Sequence, residues 1–220
     1  MIDAILSDID GTLIDNTALH VLAWQRAFRR IGKYVDGDTV LHKIGMGGDQ
    51  LAPNILGADA GDAIKRVQQY HGEEYTQKGL IDHAEPFPGA VDLLRVLRER
   101  GIPVALASSA KQEEADRYLE MLGGKESISA LVVSGDVSAT KPAPDIFAVA
   151  VEKLGHPSHP LALGDTTYDV EAARKLAIPC VCVLSGGIQR DLLMRAGASA
   201  VYSDAADVLR HLDDILTTRP

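Results

Sequence analysis

Asp8-Ile9-Asp10-Gly11-Thr12-Leu13 follows a mostly apolar run over residues 2–6, close to the start of the chain. Side chains two residues apart on a strand point to the same face, so we expect the carboxylates of Asp8 and Asp10 to converge. Two such charges about 4 Å apart repel by roughly 1 to 4 kcal/mol. A cation or a shared proton would offset that repulsion, which indicates a chemical site. Asp-Gly is also a common turn dipeptide, so a purely structural interpretation stays open on this stretch alone.

The composition is that of a globular protein with an acidic balance. The 220 residues could hold one large domain or a domain with a sizeable insertion, and 46% of them are apolar, which is ample for a buried core. The formal net charge of −9 argues against nucleic acid or an anionic membrane as the main partner. It does not exclude an anionic substrate, because a local site with Mg²⁺ and lysine can override the overall field.

Three features of the sequence predict a cytoplasmic protein. The N-terminus, Met1-Ile2-Asp3-Ala4, has no basic segment before a long apolar stretch, and no apolar run is long enough to span a bilayer. The two cysteines, Cys180 and Cys182, flank Val181 on one face of a predicted strand, where they are poorly placed to form a disulfide. We interpret them as structural thiols in a reducing compartment, with a metal-binding pair as the alternative.

From residue 87 onward, apolar strands alternate with amphipathic helices. The predicted strands are 102–107, 130–133, 161–163, 180–184 and 200–202. The predicted helices are 90–100, 112–122, 145–154, 168–176, 188–196 and one that begins at Asp204. Repeated βα units of this kind predict a doubly wound α/β fold, in which a parallel sheet is covered by helices on both faces.

Residues 16–84 interrupt this alternation, because they are helical in pattern and contain no convincing strand. The predicted helices are 17–31, 38–43, 49–56 and 60–78. We therefore divide the chain into a core of residues 1–15 and 86–220 and an inserted helical subdomain of residues 16–85. The expected hinges are Asp15-Asn16 and Glu85-Pro86-Phe87-Pro88-Gly89, and the prolines should make the second hinge semi-rigid.

Polar residues follow several of the predicted strands. Ser108-Ser109 ends one strand, Lys141-Pro142-Ala143-Pro144-Asp145 lies in the loop after another, and Gly164-Asp165 ends a third, with Asp169 four residues later. In open parallel sheets, ligands bind beyond the carboxyl ends of the strands. We therefore expect these residues and Asp8 at one edge of the sheet.

Together these segments resemble the haloacid dehalogenase superfamily of phosphohydrolases, in the subfamily with a helical cap inserted after the first strand. The resemblance rests on D-x-D-G-T-L at 8–13, the strand-end serine, K-P-x-P-D at 141–145 and G-D-x-x-x-D at 164–169, in this order. It covers essentially the whole chain, and the four segments are far more specific together than alone. It implies a Rossmann-like core with residues 16–85 as the cap, similar to phosphoglycolate phosphatase and β-phosphoglucomutase-like members.

The resemblance assigns the chemistry to the first two acids. Asp8 is the expected nucleophile, because an ionised carboxylate can attack phosphorus without losing a proton. The resulting aspartyl-phosphate would then be hydrolysed by water. Asp10 is the expected general acid/base, which protonates the leaving oxygen and later activates the water. Dehalogenases and phosphonate-cleaving members of the family lack this second acid, so its presence favours phosphate-ester chemistry.

The resemblance also implies a Mg²⁺ site. Asp8 and Asp165 would supply carboxylate oxygens, Asp10 its backbone carbonyl, and Asp169 would lie in or next to the coordination sphere. Hard oxygen ligands with retained waters suit octahedral Mg²⁺. Asp169 could instead be only an acid in the first turn of a helix, where the helix dipole favours it.

The substrate phosphate would be held by Lys141, Ser108, Ser109 and Thr12. Lys141 would neutralise the phosphate and the nucleophile together, although an ordinary loop lysine is the alternative. Ser108, with backbone N–H groups near Ser109, would bind the phosphoryl oxygens, and Thr12 would help. Ser108 could also cap the next helix, and Ser109 is a nearly equal candidate for either task.

In this family the cap selects the substrate. The candidates in the cap are His20, Trp24, Lys43, the loop Gly45-Met46-Gly47-Gly48-Asp49 and Lys78. His20 and Trp24 lie four residues apart on one helical face. We place Trp24 in the cap core and leave His20 between a substrate-binding role and local packing. The lysines could be surface charges, and the glycines could serve only as a turn.

Three functions are consistent with these residues. The leading one is a Mg²⁺-dependent phosphatase of small phosphorylated metabolites, a monomer or homodimer without a nucleic-acid or membrane partner. The alternative is a β-phosphoglucomutase-like phosphomutase, but a mutase would be expected to carry an arginine where the loop has Met46-Gly47-Gly48-Asp49. A phospho-accepting receiver module would use similar acids, a hydroxyl and a lysine, yet it needs neither the helical insert nor Asp10.

Overall fold

A computed structural model describes residues 1–217. Its strands, in chain order, are β1 (Ala4–Ser7), β2 (Ile14–Asp15), β3 (Glu85–Pro86), β4 (Val104–Ala107), β5 (Ala130–Val132), β6 (Pro160–Gly164), β7 (Cys180–Val183) and β8 (Ala200–Tyr202). Over this described range, six of them form one sheet in the order β5-β4-β1-β6-β7-β8, and every pairing in it is parallel. This confirms the predicted doubly wound α/β fold.

Helices cover the sheet and fill the insert. They are α1 (Thr17–Arg30), α2 (Gly37–Leu41), α3 (Gly48–Leu56), α4 (Asp62–Gly72), α5 (Ala90–Glu99), α6 (Gln112–Met121), α7 (Asp145–Lys153), α8 (Thr167–Lys175), α9 (Arg190–Ala196), α10 (Ala205–Arg210) and α11 (Leu212–Thr217). A π-helical turn, Glu73–Gln77, continues α4, and 3₁₀ turns span Leu80–His83, Lys125–Ser127 and Ser134–Asp136. The helix predicted to begin at Asp204 is divided at His211, so it forms α10 and α11. None of the helices within 1–217 is long and apolar enough to cross a membrane.

The predicted hinges form a structure that the sequence pattern did not indicate. β2 and β3 pair antiparallel, with Ile14 opposite Pro86 and Asp15 opposite Glu85. The N–H of Phe87 also donates to the carbonyl of Leu13 at 2.9 Å. The two segments through which the chain enters and leaves the helical insert therefore lie side by side. Two-residue strands are too short to produce a period-two pattern, which is why this pairing was missed.

The strands of the sheet are buried on both faces. Ile5 packs into the apolar cluster on one face, and its neighbour Leu6 packs into the cluster on the other. The same alternation holds in β4, where Leu106 and Ala107 belong to opposite clusters. Successive side chains of a strand point to opposite faces, so a sheet covered on both sides requires continuous apolar runs.

The helical insert has a small apolar core of its own. That core includes Trp24, Phe28 and Leu51, all buried. Tyr75 and Ile81, from the same insert, pack instead into the cluster on one face of the sheet. The insert is therefore seated against the sheet as well as packed within itself.

The two cysteines lie on β7 and face the same side of the sheet. Cys180 and Cys182 are buried and free, and their Sγ atoms are 3.9 Å apart. This arrangement agrees with the interpretation that they are structural thiols.

Candidate active site

Asp8 and Lys141 form a buried ion pair at the carboxyl end of β1. The N–H of Asp8 donates to the carbonyl of Leu163 at 2.8 Å, so the neighbouring strand β6 fixes its position. The ammonium group of Lys141 contacts Asp8 Oδ1 and lies 2.8 Å from Asp169 Oδ1. Lys141 has no solvent-exposed surface. Lysine is almost never fully buried without a partner, so the alternative of an ordinary loop lysine does not fit this environment.

The charges in this cluster are out of balance. Burial raises the pKa of Asp8 to about 7; the charge of Lys141 opposes that rise, and the charges of Asp169 and Asp10 add to it. Burial and the charges of Asp169 and Asp8 raise the pKa of Asp165 well above its ordinary range. Burial opposes the charged form of Lys141, but the nearby Asp169 and Asp8 raise its pKa. One buried cation thus faces three buried carboxyl groups. If all three are ionised, the site carries excess negative charge that a further cation would offset.

The three carboxyl groups fit a hard divalent cation. Asp8, Asp165 and Asp169 offer oxygens that lie within 4.8 Å of one another. Among residues 1–217, nothing forms a hydrogen bond with the buried Asp165 Oδ2. A Cβ atom added to Gly186 would lie 1.6 Å from that oxygen, and one added to Gly11 would lie 2.5 Å from it. Two glycines therefore keep the surroundings of an unsatisfied carboxylate oxygen free of side chains, as a Mg²⁺ ligand requires.

Asp10 is held by three partners. Asn16 Nδ2 donates to Oδ1 at 2.5 Å, His20 Nε2 lies 3.3 Å from the same oxygen, and Ser108 Oγ donates to Oδ2 at 3.0 Å. Burial opposes ionisation of Asp10. The hydrogen bond and charge of His20, with the hydrogen bonds of Asn16 and Ser108, outweigh it and lower the pKa of Asp10. The carboxylate form of Asp10 is therefore stabilised in one orientation.

His20 connects the insert to this carboxylate. It lies on α1, is buried, and stacks on Tyr75 with ring centroids 3.8 Å apart. Its Nδ1 is 3.3 Å from His71 Nε2. His20 therefore packs within the insert and contacts Asp10, while its role in substrate binding stays a prediction. Trp24 lies in the core of the insert, as predicted, and stacks on His71 at 4.1 Å.

The two adjacent serines have different surroundings. Ser108 Oγ donates to Asp10 and accepts from the N–H of Ala110 at 3.0 Å, so its hydrogen-bonding capacity is used. It does not cap α6, whose N-cap residue is Lys111. Ser109 Oγ is buried without a hydrogen-bond partner in the described part of the chain, and Ser109 lines the adjacent cavity. Of the two hydroxyls, that of Ser109 is the one free to bind a ligand.

Asp169 and Thr12 each belong to the cluster through a specific contact. Asp169 Oδ2 accepts from the hydroxyl of Thr166 at 2.6 Å and from its N–H at 3.0 Å, in a capping box at the start of α8. Its other oxygen faces Lys141. Thus Asp169 is both a first-turn acid and part of the carboxylate cluster. Thr12 Oγ1 donates to Asp165 Oδ1 at 3.0 Å, which orients that carboxyl group.

A cavity of about 760 Å³ lies between the insert and this edge of the sheet. Asp8, Asp10, Ser109 and the loop 45–49 line it. Its walls also include residues that sequence reasoning missed: Lys65, Gln68, His71, Lys111, Glu114 and Thr140. Lys65 and Gln68 lie three residues apart on α4. A helical pattern predicts that they share a face of the helix, but it does not predict that this face lines the cavity.

Two lysines proposed from the sequence do not line this cavity. Lys78 lies 2.6 Å from Glu74 in an ion pair of the insert. Lys43 is likewise not among the lining residues. The alternative interpretation, a surface charge, describes the exposed Lys78 better.

The sequence-family model for haloacid dehalogenase-like hydrolases matches residues 2–176, and a related HAD-hydrolase-like model matches residues 138–215. The chain belongs to the haloacid dehalogenase-like hydrolase family. The resemblance predicted from the four sequence segments is thus confirmed.

Named relatives are found across the full length of the chain. A hydrolase of solved structure from Pseudomonas syringae is 33% identical, with a TM-score of 0.91, over 97% of this chain and 99% of that one. Protein SUPPRESSOR OF QUENCHING 1 from Arabidopsis thaliana is 29% identical over 98% of this chain, which spans only 21% of that protein. Validoxylamine A 7'-phosphate phosphatase from Streptomyces hygroscopicus subsp. limoneus is 28% identical, over 80% of this chain and 83% of that protein. The chain is a hydrolase of this family, and a named phosphatase relative supports the predicted enzyme class.

Proposed function

We propose that this hydrolase is a Mg²⁺-dependent phosphatase, which hydrolyses small phosphorylated metabolites through an aspartyl-phosphate on Asp8. One observation carries the proposal: the buried Asp8–Lys141 pair meets two further carboxyl groups at the wall of a cavity that Asp10 also lines. The phosphatase relative that covers most of this chain supports the same substrate class.

Asp8 attacks the phosphorus atom, and the bond between phosphorus and the leaving oxygen breaks. Lys141 balances the negative charge of the nucleophile and the phosphoryl oxygens in the dry interior, where a fixed charge acts more strongly than in water. Asp8, Asp165, Asp169 and the backbone carbonyl of Asp10 would hold Mg²⁺. When bound, that ion supplies the additional positive charge that three carboxylates and a phosphate require.

Asp10 moves the proton in both steps. Its carboxyl group donates a proton to the leaving oxygen, and the carboxylate so formed takes a proton from the water that attacks the aspartyl-phosphate. Asn16, His20 and Ser108 hold the group in place and favour its carboxylate form, which suits the second step.

The phosphoryl oxygens have a hydroxyl donor in Ser109. Its buried Oγ lacks a partner among residues 1–217, and an unsatisfied buried hydroxyl costs free energy unless a ligand uses it. Ser108 and Thr12, by contrast, are committed to Asp10 and Asp165. We therefore assign phosphate binding to Ser109 and Lys141, and positioning of the carboxyl groups to Ser108 and Thr12.

We also propose that residues 16–85 act as a cap over a core of residues 1–15 and 86–220. The antiparallel pair β2–β3 joins the two connections, and the cavity lies between the two parts. A cavity of about 760 Å³ is in the range of small-molecule sites. The monomeric or homodimeric state and the cytoplasmic location stay predictions.

The test is phosphate release from a panel of phosphorylated metabolites, with Mg²⁺ and with a chelator. Wild-type protein should release phosphate only with the divalent ion, and Asp8→Asn should abolish turnover, while Asp38→Asn on the exposed start of α2 should not. Turnover that needs no divalent ion, or that survives in Asp8→Asn, would contradict the proposal. Isomerisation of a hexose phosphate without phosphate release would identify a phosphomutase instead.

A further inference from the structure

The loop of residues 45–49 is joined to one core residue by three hydrogen bonds. The N–H of Gly47 donates to Thr140 Oγ1 at 3.1 Å. The hydroxyl of Thr140 donates to Asp49 Oδ1, and the N–H of Thr140 donates to Asp49 Oδ2 at 3.3 Å. We refer to Gly47, Asp49 and Thr140 as the clasp. It uses the donors and acceptors of Asp49 and Thr140 within the protein and leaves few for a ligand.

A second close approach lies beside the clasp. Gly45 has a positive φ of 96°, and a Cβ atom there would lie 2.7 Å from the side chain of Thr166. Thr140 immediately precedes Lys141, and Thr166 immediately follows Asp165. The loop therefore rests on the two core residues that adjoin a buried lysine and a buried acid of the site.

We propose that Asp49 is a positioning residue that holds the cap closed over the cavity through Thr140. The inference extends the proposed function, because it takes residues 16–85 as a cap that opens and closes. It also gives Gly47 a role that neither interpretation of the loop glycines named: Gly47 serves the contact between cap and core, and neither it nor Asp49 recognises the substrate.

Gly47 offers an independent test of the same contact. A Cβ atom at this position would lie 2.4 Å from Thr140 Oγ1 and 2.6 Å from Asp49 Oδ1. The backbone of Gly47 has φ −70° and ψ 164°, which alanine adopts without strain. Gly47→Ala therefore disturbs the clasp by volume alone and leaves the local backbone conformation accessible.

The chain contains a natural reporter for cap opening. Trp24, the single tryptophan, is 4% exposed and lies in the cavity wall. A Cβ atom on Gly48 would lie 3.4 Å from its ring, so the indole is adjacent to the loop. Opening of the cap would admit a small neutral quencher to the cavity, and acrylamide quenching of Trp24 in the ligand-free protein measures this.

The experiment compares variants that remove the clasp with variants that keep it. Asp49→Ala, Thr140→Val and Gly47→Ala should raise the open fraction by about tenfold, the effect of losing a charge-assisted hydrogen bond, and should increase quenching. Thr140→Ser keeps the hydroxyl and should match wild type. Thr39→Val removes a hydrogen bond that lies wholly within the cap, from the hydroxyl to Asp36 Oδ2 at 2.6 Å, and should also match wild type.

Each outcome separates the clasp from the proposed function. Quenching that stays at the wild-type value in both Asp49→Ala and Thr140→Val would overturn the clasp, and so would equal increases in Thr140→Ser and Thr140→Val. A higher KM in Asp49→Ala with unchanged quenching would also overturn it, because Asp49 would then contact the substrate. If quenching follows the prediction while no phosphate ester is hydrolysed, the clasp stands and the proposed function fails.

Discussion

His20 Nε2 lies 3.3 Å from Asp10 Oδ1, although His20 is on helix α1 of the insert and Asp10 is in the loop after β1. The insert therefore supplies a direct partner to one of the two acids that the family resemblance assigns to catalysis. His71 contacts the other ring nitrogen of His20, and Tyr75 stacks on the ring. The orientation of the Asp10 carboxyl group thus depends on the position of the insert.

Replacement of His20 by alanine should shift the pH dependence of the second chemical step. Although burial opposes it, His20 helps to hold the pKa of Asp10 below its usual range. Without that partner the pKa rises, so a higher pH is needed to form the carboxylate that activates water. The acidic limb of phosphoenzyme hydrolysis, measured by rapid quench, should therefore move to higher pH. His42→Ala, on the exposed end of α2, should leave the limb unchanged.

Lys141→Met should strongly destabilise the protein at neutral pH. It removes the buried cation and leaves Asp8 and Asp169 without their partner, which costs about 3 to 5 kcal/mol for a broken buried pair. Urea unfolding in a chelator measures the change. The loss should shrink toward pH 5, because burial raises the pKa of Asp8 to about 7 and the protonated carboxyl group no longer needs the cation.

Lys153→Met is the matched control for Lys141→Met. Lys153 pairs with Asp136 at 2.9 Å on the surface, where such a pair contributes less than about 1 kcal/mol. Equal losses of unfolding free energy in the two variants would contradict the importance of the buried pair.

The continuous apolar strands could be predicted from the sequence because burial on both faces requires them. The predicted strand at 200–202 coincides with β8, and the predicted runs at 102–107 and 180–184 contain β4 and β7. By contrast, β2 and β3 have two residues each, and their pairing depends on two chain segments about 70 residues apart. No local pattern carries that information.

Ligands bind beyond the carboxyl ends of the strands in open parallel sheets, and this rule predicted that Asp8, Lys141 and Asp165 lie close together, as they do. The opposite wall of the cavity was not predictable in the same way. Lys65 and Gln68 line it because of how α4 is placed over the sheet edge, which tertiary packing decides. The sequence also does not distinguish Ser108 from Ser109. Their side chains have different surroundings in the structure, so Ser108 binds Asp10 while Ser109 Oγ has no hydrogen-bond partner among residues 1–217.

The metal-free protein should become less stable as the pH rises from about 4 to about 7. Burial raises the pKa of Asp8 from 3.8 to about 7, so the folded state binds a proton that the unfolded state has lost. A raised pKa contributes stability that is complete at low pH and disappears as the pH passes the folded value. Asp8 alone contributes a change on the order of 4 kcal/mol, and urea unfolding in a chelator measures the profile.

Two comparisons test this pH dependence. Asp8→Asn, which cannot take up the proton, should have a flatter profile over the same range. Mg²⁺ should stabilise the wild-type protein more at pH 8 than at pH 5, because the ion binds the ionised carboxylates. A flat wild-type profile in the chelator would contradict the raised pKa of the buried Asp8 carboxyl group.

Replacement of Ser108 and of Ser109 by alanine should have different effects on the kinetics and on the stability of the protein. Ser109→Ala removes a hydroxyl without a partner, so kcat/KM should fall about tenfold through KM while stability is kept or increased. Ser108→Ala breaks the bonds to Asp10 and Ala110, so kcat and stability should both fall, the latter by about 1 to 2 kcal/mol. Steady-state kinetics and urea unfolding measure the pair, and interchanged effects would contradict the assignment.

Gly186→Ala should weaken Mg²⁺ binding by about tenfold or more, because a Cβ atom there would lie 1.6 Å from Asp165 Oδ2. Asp165 is buried and its other oxygen is held by Thr12, so it can avoid the methyl group only by giving up that position. Isothermal titration with Mg²⁺ measures the loss. Gly135→Ala is the control, since a Cβ atom on Gly135 would meet nothing within 4 Å. Equal Mg²⁺ affinities in the two variants would mean that Asp165 Oδ2 is not a metal ligand.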